Sequence, residues 1–492
     1  MQTIQPSRKK AMFTQIIGSY LLTIISIVQN LFLLPLYFKY IDYELYGYWI
    51  TIGSVLTLLS MVNFGVGVFT TQRISNAYAK KDYKGVVDYF TNSLIVYAFV
   101  VSTYLVLGAI IFYLFKHYET VANNNLYILQ YAYYIALTTM SLSFFSDAFR
   151  GFTQSLLQPL FSIYSTIFSQ IIGIVLIVWL LPEYKLLALP IGLFVAEFCV
   201  VLSNGIYSYL KYKQFNTKST INMKILKEYK NHGKHLVGLK LSNEILNNAH
   251  PLIITSFLGA EMTTAYAVTK KALDVILTLM NIISSSLLSP LSNLVGEGDI
   301  IKVRETIAKV LVVILRVGLI VFSTYIYSNH MFVNLWIGKD IVLSQETIFL
   351  IGVSGFVFIM TRFSRSILFA LDEIKFASKI VFFEGILYFF LATILVNFFG
   401  VVAIPFSVMV ASGMALTLLM KKIFIINRYK IEKKEIARII AMLFLVNMFV
   451  LFGNNLQFEM TWLHFIGKVI FGTSIIFVIE LLFQYKNILK IS

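Results

Sequence analysis

Between Leu236 and Leu258 an apolar stretch of membrane-spanning length carries Lys240, Asn243, Glu244, Asn247, Asn248, Pro251 and Thr255, recurring at steps of three or four. Those steps place them on one face of a helix. A charged side chain facing hydrocarbon is costly, so this stripe must face protein or a water-filled cavity. It is expected to form one wall of a transport path.

Further charges lie inside apolar segments. The bases are Lys240, Lys270, Lys271, Arg316, Arg362, Arg365 and Lys468; the acids are Glu197, Glu244, Asp274, Glu384 and Glu480, with Asp147 near a segment end. Lys240 with Glu244, and Lys270 with Asp274, have the i, i+4 spacing of helical ion pairs, which fits neutralisation for burial as well as a role in the path. Lys271, Arg316, Arg362 and Arg365 lack a partner at that spacing. Arg362 and Arg365 have two readings, ligand contact or snorkelling to the cytoplasmic surface. The surplus of bases favours an anionic cargo, and phosphate suits Arg as a bidentate fork and Lys as a point charge. Exporters of cations need a carboxylate instead, and the first apolar segment has none.

The elements that hold these residues follow from composition. The chain is 58% hydrophobic and 13% charged, with mean hydropathy +0.79; lipid is its main solvent. The fold class is all-α, a polytopic membrane bundle of about fourteen helices. Expected spans include Met12 to Tyr37, Tyr46 to Thr70, Thr264 to Leu291, Ile307 to Tyr327, Ile436 to Leu451 and Trp462 to Phe483. Basic residues crowd one set of loops, as in Arg73 to Lys84, Lys211 to Lys234 and Lys421 to Arg438. Both termini are therefore expected in the cytoplasm. The two long basic connections divide the chain into residues 1–210 (six spans), a connection at 211–234, residues 235–425 (six spans) and residues 426–492 (two spans).

A shift of 217 residues sets Ser26 on Asn243, Asn30 on Asn247, Ser75-Asn76 on Ser292-Asn293 and Asp82 on Asp299. This reads as a parallel duplication, two lobes around a cationic cavity. The first span should then carry a matching stripe. It has Gln15, Ser19, Ser26, Gln29 and Asn30, which also suit helix packing. The candidate path is Gln29, Asn30, Lys240, Asn243, Asn247, Asn248, Lys270, Lys271 and Arg316, with Glu244 and Asp274 as coupling or charge-moderating acids.

No phosphate-binding loop, zinc-protease or serine-hydrolase signature occurs. The single Cys199 builds neither a disulfide nor a thiolate metal site, and His232 and His235 sit in a basic connection without acids. No cofactor, no metal and no enzymatic reaction is expected.

The pattern resembles the Wzx-type oligosaccharide flippases, the polysaccharide transporters of the multidrug/oligosaccharidyl-lipid/polysaccharide (MOP) exporter superfamily. The residues that carry the resemblance are Leu34-Pro35, Tyr46-Gly47-Tyr48-Trp49, Asn63-Phe64-Gly65-Val66-Gly67 and the basic loop Arg73 to Lys84 with Asp82. Asn63 stands where these proteins often have an acid. The resemblance implies movement of a polyprenyl-pyrophosphate-linked oligosaccharide across a bacterial cytoplasmic membrane, for O-antigen, capsule or exopolysaccharide assembly, by alternating access. Lys240, Lys270, Lys271 and Arg316 would attract the pyrophosphate; Gln29, Asn30, Asn243, Asn247 and Asn248 would bond sugar hydroxyls. Partners implied are the bilayer and a polysaccharide polymerase with its assembly proteins, and no nucleic acid. Another glycolipid, such as a peptidoglycan precursor or a teichuronic-type unit, a drug or cation cargo, or a non-transporting scaffold are the competing readings.

Overall fold

The computed structural model describes residues 8–63, 65–118, 123–338, 341–427, 429–430, 441–442, 445–446, 448–449, 459–482 and 490–491. The chain divides into two compact units, Met1–Glu244 and Ile245–Ser492. The first contains α1 (Arg8–Tyr37), α2 (Tyr43–Leu59), α3 (Val66–Ala79), α4 (Tyr83–Tyr118), α5 (Asn123–Ser155), α6 (Pro159–Tyr184), α7 (Ala188–Gln214) and the first part of α8 (Met223–Leu258). The second contains the rest of α8, then α9 (Ala260–Ser286), α10 (Leu288–Gly296), α11 (Ile300–Trp336), α12 (Gln345–Ala370), α13 (Ile374–Phe399), α14 (Ala403–Asn427) and α15 (Trp462–Leu482). A two-residue antiparallel bridge joins Tyr429–Lys430 to Lys490–Ile491.

Among the described residues, eight stretches are long and apolar enough to cross a membrane; two of them, Pro159–Gln214 and Ile374–Asn427, each hold a pair of helices. Their outward residues suit an apolar solvent, since Phe32, Phe99, Trp179 and Phe398 are all more than 70% exposed. Inside the first unit, Leu56, Tyr97, Tyr104, Tyr133 and Phe144 form the core. Two of its buried phenols find carbonyl partners: Tyr104 donates to Leu56 at 3.1 Å and Tyr133 to Gly108 at 2.7 Å. This pairing avoids the penalty of an unmade hydrogen bond in an apolar interior.

Two expected spans are broken. Tyr46 to Thr70 is α2, a 3₁₀ turn at Ser60–Asn63, and α3, because Gly65 takes φ +77° and starts a new helix. A left-handed residue there favours glycine. Thr264 to Leu291 is likewise divided into α9 and α10. The expected span Ile307 to Tyr327 runs on to Trp336. Most of the expected span Ile436 to Leu451 lies outside the described residues.

The connection at 211–234 is helical from Met223. Its extended part is laced to α4: Asp88 accepts from Thr220 N at 2.7 Å, and Asn92 donates to Thr220 O at 2.9 Å and accepts from Asn222 N at 3.0 Å. The first turns of α8 are bolted to α3, with Glu228 on Arg73 at 2.9 Å and Tyr229 on Thr70 at 3.0 Å. These contacts explain why the division between units falls within α8 rather than before it.

Duplication is visible in the backbone. Left-handed residues recur 215 positions apart at Leu157 and Asp372 and at Lys185 and Gly400, and 217 apart at Lys81 and Gly298. Asp82 accepts from Gly85 N at 2.9 Å, as Asp299 does from Lys302 N at 3.0 Å. Ala188-Leu189-Pro190 opens α7 as Ala403-Ile404-Pro405 opens α14. Packing repeats too: α6 on α7 and α5 on α7 in the first unit, α13 on α14 and α12 on α14 in the second.

Candidate functional site

Each unit holds a polar cavity beside its central helix, α5 or α12. The first has a volume of about 830 Å³ and is lined by α3, α5, α8 and the turn before α3. Glycines make the room: Gly65, Gly67 and Gly151 all border it, and a Cβ on Gly151 would lie 2.7 Å from Thr71 Oγ1. Its charged lining is Asp147, Arg150 and Lys240, with Asn63, Gln72 and Gln154 among the neutral polar groups. Asp147 and Arg150 pair at 3.1 Å, one helical turn apart. Asn63, Gly65 and Gly67 of that motif are therefore part of this wall.

In the second unit a cavity of about 430 Å³ is lined by Thr278, Asn281, Ile282, Ser284, Arg362, Arg365 and Ser366. Arg362 donates to Asn247 Oδ1 at 2.9 Å, which brings one member of the α8 stripe to α12. Its guanidinium also lies 4.5 Å from the centre of the Phe358 ring, a cation–π distance. Glu384 on α13 is buried and accepts from Ser412 at 2.6 Å.

The other candidate residues are placed as follows. Lys240 lines the first cavity, with Glu244 one turn along α8 and half-buried. Asn243 and Asn248 are half-buried on α8 and Asn247 is exposed. Lys270 pairs with Asp274 at 2.7 Å, at the spacing read from the sequence, while Lys271 is half-buried beside it on α9. On α1, Gln29 is half-buried and Asn30 is exposed, its amide turned back to Ser26 O at 2.8 Å. Arg316 meets Glu480 of α15 at 2.9 Å, far from it in sequence. Lys468, also on α15, sits 4.6 Å from the Tyr327 ring of α11. Two of the span-embedded bases thus stand between α11 and α15.

Sequence reasoning passed over Asp147 and Arg150 as cavity residues and left Arg362 and Arg365 between two readings. The signal lies in the backbone, since the 217-residue shift read from the sequence sets Asp147 on Ser364 and Arg150 on Ile367. The 215-residue offset of the left-handed turns carries Asp147 onto Arg362 and Arg150 onto Arg365.

Chains of known structure share this architecture. The lipid II flippase MurJ in an inward closed conformation matches with TM-score 0.74 at 12% identity, over 95% of this chain and 98% of that one. The fold is that of MOP-superfamily transporters. A multidrug resistance MATE family transporter of that superfamily, inward-facing, matches with TM-score 0.63 at 14% identity, over 81% of this chain and 96% of that one. A MOP superfamily transporter from Pyrococcus furiosus, described as having a binding pocket of reverse polarity, matches with TM-score 0.53 at 14% identity, over 81% and 94% of the two chains. No family model and no curated protein matches the sequence.

Proposed function

We propose that this chain is a transporter that carries a polyprenyl-pyrophosphate-linked oligosaccharide from the inner to the outer leaflet of a bacterial cytoplasmic membrane, for surface-polysaccharide assembly. The observation that carries the reading is the sign of the cavities. Among their described lining residues stand Arg150, Lys240, Arg362 and Arg365 against the single acid Asp147. A phosphate-bearing headgroup supplies the matching charge, and glycan hydroxyls match the amides and hydroxyls around it. The likeness in fold to a lipid II flippase supports the reading. In this reading Lys240, Lys270 and Lys271 attract the anion, Asn243, Asn247, Asn248, Gln29 and Asn30 serve the sugar, and Glu244 and Asp274 keep the bases from holding it too tightly. Arg316, paired with Glu480, contributes through the placement of α11.

The test is accumulation of lipid-linked oligosaccharide in the inner leaflet of cells lacking the chain. Wild type should clear it, and Lys240→Ala at equal abundance should not. Absence of any accumulation would sink the cargo assignment. Asp147 favours one second reading, cation exchange, because a carboxylate in the cavity is what that activity requires. Proton- or sodium-driven uptake of a cationic dye by proteoliposomes holding the purified chain, lost in Asp147→Asn, would support that reading instead.

A further inference from the structure

The two cavities occupy corresponding places in the two units, yet their charges differ. Asp147 and Arg150 lie ten and seven residues before the left-handed Leu157, and Arg362 and Arg365 stand at the same distances before the left-handed Asp372. In the first unit those two positions pair with each other at 3.1 Å, and the base left in the lining is a lysine from another helix, Lys240. The second unit has a guanidinium at both positions and no acid among the described residues lining its cavity. Glu384 is the carboxylate whose charge acts on Arg365 and Arg362, and one of its oxygens is taken by Ser412. Two guanidinium groups against one carboxylate leave a positive excess at a site of small-molecule size, given that such sites run from roughly 300 to 1,000 Å³.

From this contrast we infer that the second unit's cavity is the docking site for a phosphoester anion, with Arg362 and Arg365 as its ligands. Two planar forks one turn apart on α12 suit the oxygens of a phosphate or diphosphate, which accept bidentate pairs. Thr278, Asn281, Ser284 and Ser366 add hydroxyl and amide donors around them. Asn247 holds Arg362 in place at 2.9 Å. A polar track leads in, since Lys271, Asp274, Thr278 and Asn281 follow at steps of three and four along one face of α9. Lys271 is thus about 10 Å from Thr278 along the helix axis, at 1.5 Å per residue. The track draws the anion and the arginine pair holds it. The sign of the anion was read from the same bases that support the proposed cargo, so the inference rests on that reading for its diphosphate form.

The experiment is equilibrium binding of farnesyl diphosphate, with farnesol as the uncharged control, to the purified full-length chain in phosphatidylcholine nanodiscs. Wild type should bind the diphosphate and not the alcohol. Arg362→Gln and Arg365→Gln should each weaken binding at least about tenfold, the loss expected for a charge-assisted pair. Lys309→Gln, a change on the exposed surface of α11, should bind as wild type. Because either arginine variant could misfold, Ser284→Val and Thr278→Val provide a second pair with charge intact, expected to weaken binding a few fold. Diphosphate binding that persists unchanged in all four variants overturns the site.

Repeating the titration in nanodiscs with phosphatidylglycerol separates the two sources of phosphoester. Undiminished diphosphate affinity identifies the cargo headgroup as the occupant. Loss of affinity that returns in phosphatidylcholine identifies a membrane-lipid headgroup, and supports the anion site while removing it from the cargo path. Should cells lacking the chain accumulate no glycolipid while the arginine dependence holds, the proposed function fails and the anion site stands.

Discussion

Replacing Arg316 by Met should destabilise the second unit by about 3 kcal/mol, the lower end of the cost of removing one member of a buried ion pair. The magnitude follows from where the partners sit. Glu480 keeps 6% of its side-chain exposure and Arg316 keeps 32%. Loss of the guanidinium would leave a carboxylate without its counter-charge between two apolar helices. The reverse change is milder: Glu480→Gln leaves a guanidinium a third exposed, whose attraction was already partly screened, so about 1 kcal/mol is expected. At roughly 2–4 °C per kcal/mol for a unit of this size, thermal unfolding of the purified chain in one detergent should fall by about 6–12 °C and about 2–4 °C respectively. The double variant Arg316→Met/Glu480→Leu should return close to wild type, as apolar replacements of buried pairs often do. Glycolipid clearance by that double variant provides the second readout. If Arg316 only braces α11 against α15, clearance returns with stability. If stability returns and clearance does not, Arg316 touches the cargo and the structural account of it is wrong. Equal melting shifts in the two single variants would also refute the asymmetry.

Three other outcomes follow from the packing. Asn92→Ala removes the bonds to Thr220 and Asn222 and leaves their backbone groups unmet, at a cost of about 1–3 kcal/mol; trypsin should then cut after Lys213 and Lys218 faster than in wild type, and an unchanged rate would show that α4 does not hold the connection. Gly192→Val should destabilise by at least about 1–3 kcal/mol, because a Cβ there would collide with Ile177 Cγ1 and lie 2.9 Å from the Gly173 carbonyl oxygen, backbone that cannot rotate away; a melting temperature equal to wild type would deny the close crossing of α6 and α7. Gly413→Ala in α14 meets nothing within 4 Å and removes a flexible residue from a helix interior, so it should stabilise by roughly 0.5–1 kcal/mol, and a loss of stability would show a contact there that the packing does not contain.

What was legible in the sequence was what depends on local spacing. Apolar runs predict helices because a span must satisfy its own backbone, and the runs at Pro159–Gln214 and Ile374–Asn427 became adjacent helix pairs for that reason. Asp82 and Asp299 match because each caps the helix that follows it, a device written in the one residue type. The ion pair of Lys270 with Asp274 was readable because one helical turn separates them. The break at Gly65 was hidden by the hydrophobic residues around it, which keep the period of a span while the backbone turns left-handed. The pairing of Arg316 could not be read, since its partner Glu480 comes from a helix much later in the chain and no periodicity links them. Arg362 and Arg365 form the middle case. Local spacing leaves them ambiguous between snorkelling and ligand contact, but alignment of the two copies through their left-handed turns sets them on Asp147 and Arg150. A duplicated fold supplies its own comparison. Where both copies preserve a residue, as at Asp82 and Asp299, the fold needs it; where one copy replaces an acid with a base at a cavity wall, the fold tolerates either, and the difference is free to serve what enters the cavity.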